Sequence, residues 1–122
     1  MNNNKKKSFS SSPLESIEVR LIQITSGRGP AECTWVVAQV VKKVMEEAHE
    51  KQLKVTVLQR EAGQENGTVE TAILHLEGKN VPAFVASWLG TIQWIGKSTF
   101  RKFHKRSNWF IGIFEVAQMR EA

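Results

Sequence analysis

The sequence predicts an α+β domain: a split β-α-β arrangement (β-α-β-β-α-β plus an extra strand) with two helices packed on one face of a mostly antiparallel sheet. Three observations predict it. An alternating apolar run over residues 17–24 leads through a glycine-containing turn into a long apolar stripe at helical spacing. Two further alternating runs flank Asn66-Gly67, a strong hairpin turn signal. A short apolar helical segment closed by Gly90 is then followed by two more strand-like runs.

The first strand is "SIEVRLIQIT", where Ile17, Val19 and Leu21 alternate with Glu18 and Arg20, and Ile22 and Ile24 make its far end apolar enough for a central position. "SGRGPAE" follows. Gly27 and Gly29 permit a tight turn, Pro30 suits the first helical position, and Glu32 favours the positive end of the helix dipole. The helix is expected over about residues 30–51, with Cys33, Val37, Val40, Val41, Val44 and Ala48 as its apolar stripe. Its many β-branched residues lower intrinsic helix propensity, but its length and its charged pairs still favour a helix. "LKVTVLQREAG" and "TVETAILHLEG" are the second and third strands, antiparallel to each other, with His75 on the polar face. "KNVPAFVASWLG" is the second helix, "TIQWIG" a fourth strand and "NWFIGIFEVA" a fifth, with Trp88 and Trp94 expected to pack.

The chain has 122 residues, enough for one domain with a core that needs no disulfide. Its single cysteine, Cys33, excludes an internal disulfide and is compatible with a reducing compartment. Residues 1–15 form a basic, Ser-rich stretch including Lys5-Lys6-Lys7, expected to be a disordered tail, and the domain is expected over residues 16–118. No apolar run follows the basic cluster and none reaches the length of a membrane span, so neither a signal peptide nor a membrane partner is expected. A cytoplasmic monomer is expected.

Net charge is +5, which suits a polyanionic partner. All twelve acids are glutamate, and the three histidines and one cysteine form no metal-ligand spacing, so neither metal nor cofactor is expected. "TSGRGPAE" lies where phosphate-binding loops lie, yet matches neither the Walker pattern nor G-x-G-x-x-G. It reads as a tight turn opening a helix, with phosphate contact by Arg28 as the alternative. Cys33 falls in the first helical turn, where a thiolate would be stabilised. It also lies on the apolar stripe with no histidine partner marked, and reads as a buried structural residue. The strongest local signal is "FRKFHKRSNWF". Arg101, Lys102, His104, Lys105 and Arg106 interleave with Phe100, Phe103, Trp109 and Phe110, with no acid between them. Phosphates require mobile cations, and unpaired bases require flat rings to stack on. Composition leaves two readings of this connection: a solvated basic loop, or a surface that grips RNA.

Four stretches in register, "TSGRGPAEC", "LKVTVLQREAG", "SWLGTIQWI" and "HKRSNWFIGI", make residues 17–116 resemble the N-terminal domain of the peptide chain release factor H family, relatives of the class I release factors. The resemblance implies engagement of the ribosomal decoding centre, with residues 101–109 facing ribosomal RNA, and a role in termination or ribosome rescue beside an RNA-repair ligase. It implies that peptidyl-tRNA hydrolysis belongs to a second, Gly-Gly-Gln-bearing domain. No Gly-Gly-Gln occurs here: Gly63-Gln64 follows Ala62 and lies in a hairpin. The decoding tripeptides of ordinary release factors are missing too. The chain therefore reads as a non-enzymatic ribosome-binding part: a truncated product, a fragment, or half of a split factor whose Gly-Gly-Gln domain is encoded separately. Nucleic-acid-binding residues are expected to be Arg101, Lys102, Lys105 and Arg106 on phosphate, His104 and Trp109 as stacking or hydrogen-bonding groups, and Arg28 at the first turn. The alternative is a protein-interaction module recruiting such a partner chain.

Overall fold

A computed structural model describes residues 16–117; the expected tail over residues 1–15 lies outside the described residues, as does residue 118. The elements run β1 (Ile17–Thr25), α1 (Ala31–Glu50), β2 (Lys54–Ala62), β3 (Val69–Lys79), α2 (Val81–Trp88), β4 (Gly90–Ile95) and β5 (Asn108–Val116). They build one five-stranded sheet in the order β2-β3-β1-β5-β4, with antiparallel pairing throughout. The α+β class expected from the sequence is the observed one. Its first half is the split unit itself: β1-α1-β2, with β3 inserted between the two strands. The extra strand is β4, which forms the sheet edge, while β5 returns to pair with β1.

The direction of each strand's side chains follows from its alternation. Ile22 and Ile24 of β1 sit opposite Leu74 and Ala72 of β3, and Ile24 sits opposite Ile113 of β5. All five are buried, and together they make the floor on which the helix packs. Cys33, Val36, Val37, Val40, Val44 and Ala48 of α1 close that core from above. Val36, outside the expected stripe, is fully buried, and Val41, within it, is only partly buried. Pro30 is the residue before the helix rather than its first, extended at φ −68° and ψ 174°. Its carbonyl accepts from the amides of Cys33 and Thr34, and its missing N–H would have had no helical partner anyway. The turn ahead of it holds Gly27 and Arg28 at φ +62° and +66°, a conformation that costs glycine little.

α2 is anchored to α1 by the Trp88 indole N–H, which donates to Glu47 at 2.9 Å. Trp94 of β4 meets Trp35 of α1 edge-to-face, with ring centroids 5.3 Å apart. Both tryptophans therefore pack, as expected. His75 pairs opposite Thr56 and Leu21, on the sheet face away from the helices.

The clean alternation read into β2 breaks at Leu58. Val57 faces Leu74 and Gln59 faces Ile73, so Leu58 is the extra residue of a bulge and stays exposed. A bulge on this edge strand is visible only against its partner, which is why the residue pattern of β2 alone concealed it.

Candidate nucleic-acid interface

The connection from β4 to β5 is the long loop of the domain, residues 96–107. Its base is closed by the amide of Gly96 donating to the Ser107 carbonyl at 2.8 Å. Trp109, the second residue of β5, donates its indole N–H to the Gly96 carbonyl at 2.9 Å. Alternation along β5 sends Trp109, Ile111 and Ile113 to the helix side and Phe110 and Phe114 to the open side.

Trp109 is thus corrected from the expectation. Its side chain is 2% exposed, and the Arg106 guanidinium covers it at 4.7 Å from the ring centre. His104, half-buried, lies against the same ring with centroids 5.9 Å apart. A base has no face of Trp109 to stack on. The ring instead supports the loop from beneath. The run Trp109, Ile111, Ile113 carried this signal, because its alternation puts Trp109 on the core side.

Arg101 is already engaged by the fold. Its guanidinium forks onto the carboxylate of Glu32 in the first turn of α1, with Nε to Oε2 at 2.7 Å and Nη2 to Oε1 at 2.8 Å. Glu32 is 3% exposed, whereas Arg101 is about half exposed. The Ser98 hydroxyl donates to the same carboxylate at 2.5 Å and accepts from the amides of Phe100 and Arg101. The Arg101 hydrogen bonds, reinforced by Ser98, hold the Glu32 carboxyl down to about 2 against the opposing effect of burial. The pair is therefore fully ionised at neutral pH. A bidentate charged fork is already matched in geometry and charge, so phosphate would have to compete with a buried carboxylate for it. The sequence reading missed both Glu32 and Ser98 as loop partners, because the carboxylate lies 69 positions from Arg101.

Lys102, Phe103 and Lys105 occupy the loop tip. All three are exposed, and Phe103 is 99% exposed, in the left-handed region at φ +62°. A bulky apolar side chain fully in water at positive φ is an uncommon conformation, and it leaves both faces of the ring accessible. Arg106 remains at the surface, its Nε donating to the Asn108 carbonyl at 2.8 Å. Composition did not single out Phe103 from the other rings; only its exposure does.

Arg28 is exposed on the β1–α1 turn and lines a cleft with Gly29, Pro30, Ala31, Thr34, Gln64 and Glu70. The β1–α1 turn, the β2–β3 hairpin and the β4–β5 loop all leave the same end of the sheet. The fold therefore gathers Arg28 and the basic loop at one end, while Arg101 and Trp109 serve to build that end. Cys33 is buried under it, and burial pushes its thiol above the usual range, which suits a core residue.

Among the described residues, no helix covers the opposite sheet face. Phe110 and Phe114 stand on β5, with the Phe114 ring lying over Gly112, where an added Cβ would come within 2.9 Å of it. Ile95 on β4 is also exposed on this face. Among the described residues no helix is long and apolar enough to cross a membrane.

Comparison with known proteins agrees with the sequence reading. A curated relative from Escherichia coli, described as "Peptide chain release factor homolog", is 42% identical over 93 residues, covering 76% of this chain and 46% of that protein. The chain thus spans about half the length of the curated relative it matches. A solved structure described as "RF2 of Thermus thermophilus" superposes with a TM-score of 0.74 at 17% identity, covering 88% of this chain and 30% of that one; at that identity the likeness concerns the fold. No protein-family model matches the chain.

Proposed function

Because this chain is release-factor-like in sequence and in fold, we propose that it binds the ribosome, in the setting of translation termination or ribosome rescue, and contacts ribosomal RNA through the β4–β5 loop. In this reading it works in the cytoplasm as a monomer and supplies binding and not hydrolysis. Peptidyl-tRNA chemistry would fall to a separate Gly-Gly-Gln-bearing domain. Lys102 and Lys105 meet phosphates, Phe103 stacks on an unpaired base, and Arg106, His104 and Arg28 border the contact. The observation that carries the reading is the loop tip: a fully exposed aromatic ring between exposed lysines, on a loop pinned at its base. Cations supply salt-dependent attraction to a polyanion, and a presented ring adds the sequence-tolerant stacking that unpaired bases accept.

One base–ring stack contributes about 1–3 kcal/mol. Phe103→Ala is accordingly expected to weaken ribosome co-sedimentation about five- to 150-fold with no change in thermal stability, since the ring is almost fully exposed. Phe114→Ala should leave ribosome binding intact. The reverse pattern would favour a second reading that the open sheet face supports. There, Phe110, Phe114 and Ile95 would dock a protein, such as a separately encoded Gly-Gly-Gln domain, in a complex largely insensitive to salt.

A further inference from the structure

Among the described residues, the Glu32 carboxylate is the acid that meets the root of the cationic loop. An acid so placed opposes the approach of a polyanion by simple Coulomb repulsion. It is nevertheless buried in the first turn of α1 and receives three hydrogen bonds, two from Arg101 and one from Ser98. The Ser98 hydroxyl in turn collects the amides of Phe100 and Arg101, so the carboxylate organises a turn of backbone immediately before Lys102 and Phe103. The other attachments of the loop lie at its base, Gly96 to Ser107 and Trp109 to Gly96, or on its C-terminal side, where His104 and Arg106 rest against the Trp109 ring and Arg106 donates to the Asn108 carbonyl.

We infer that Glu32 is a positioning residue for RNA contact: its grip on Ser98 and Arg101 fixes how residues 102–105 are presented, so that removing this negative charge weakens RNA binding instead of strengthening it. The inference rests on the proposed RNA-contacting role of the loop, and it reverses what charge counting predicts. In the ordered loop Lys102 and Phe103 are held in one arrangement before binding, and the ordering entropy is not charged to the association step. In a released loop the same side chains are present but must be ordered on contact. Arg101, freed from Glu32, would add a mobile cation; if Arg101 were itself a phosphate ligand, its release would tighten binding and steepen the salt dependence by about one unit.

The test uses the full chain with Glu32→Gln, Arg101→Lys and Ser98→Ala, the last at a partly exposed position whose change leaves the core untouched. Two readouts are taken: the rate of tryptic cleavage after Lys102 and Lys105 in the free protein, and co-sedimentation with purified ribosomes across a salt series. The expected result is faster cleavage within the loop in all three variants, unchanged cleavage after Lys54 in β2, and ribosome binding weakened about three- to tenfold with an unaltered salt slope. Arg101→Lys is the discriminating variant, because it preserves charge and loses only the fork. Unchanged loop cleavage in Glu32→Gln overturns the inference whatever the ribosome result, and so does equal or tighter ribosome binding with faster cleavage. Failure of the unaltered chain to bind ribosomes overturns the proposed function instead, while the cleavage assay still decides whether Glu32 orders the loop.

Discussion

Replacing Lys102 and Lys105 together with glutamate is expected to reduce ribosome association by at least about tenfold at moderate salt, and to flatten the plot of log affinity against log salt by about two units. Both side chains project from the tip of the β4–β5 loop, and both are exposed. Each lysine that neutralises a phosphate releases condensed counterions, and the salt slope counts those contacts independently of their strength. The variant should fold normally, because neither residue contributes to the core. A slope that stays at the value of the unaltered protein would mean that these lysines face water in the complex. The same pair of changes made at Lys42 and Lys43, exposed on the outer side of α1, should leave the slope nearly unaltered. That control separates a local contact from a general loss of positive charge.

Trp109→Ala is expected to destabilise the domain by about 3–5 kcal/mol, measured by urea denaturation. The ring is 2% exposed, and its removal leaves a large void between β5, β4 and α1. It also takes away the donor that holds Gly96 and the surface on which Arg106 lies. Trp109→Phe keeps most of the buried area and loses the indole N–H, for an expected cost of about 1 kcal/mol with the Gly96 carbonyl left short of a partner. Ribosome binding by the folded Trp109→Phe protein should fall only modestly, because the residue supports the loop and does not meet the ligand. A loss as large as that expected for Phe103→Ala, in a protein that still folds, would restore Trp109 as a contact residue.

Much of the architecture was legible in the residue pattern. Alternation over residues 17–24, the stripe of α1 and the Asn66-Gly67 turn each encode a local choice whose physical basis is short-range. What could not be read there depends on partners distant in sequence. Leu58 becomes a bulge only when β3 is laid beside β2. Chain order does not say whether β4 or β5 takes the place next to β1; the apposition of Ile24 and Ile113 decides it. Arg101 looked like a free cation because the acid that pairs with it lies 69 positions away in sequence, while the fold brings the N-terminus of α1 to the root of the loop. Trp109 is the instructive error. A basic-aromatic composition grouped it with the loop, although its alternation with Ile111 and Ile113 already assigned it to the core side of β5. Phe103 shares the composition of its neighbours, and only the folded loop distinguishes the ring held in water from those that pack.

The loop tip is the part of this domain proposed to meet RNA, and a photo-crosslinking side chain at position 103 interrogates it directly. Incorporation of benzoylphenylalanine in place of Phe103, followed by irradiation with purified ribosomes, is predicted to give crosslinks to ribosomal RNA that disappear at high salt, with none from the same probe at position 114. Crosslinks confined to proteins, or obtained from position 114 and not from 103, would contradict the account and place the working surface on the open face of the sheet.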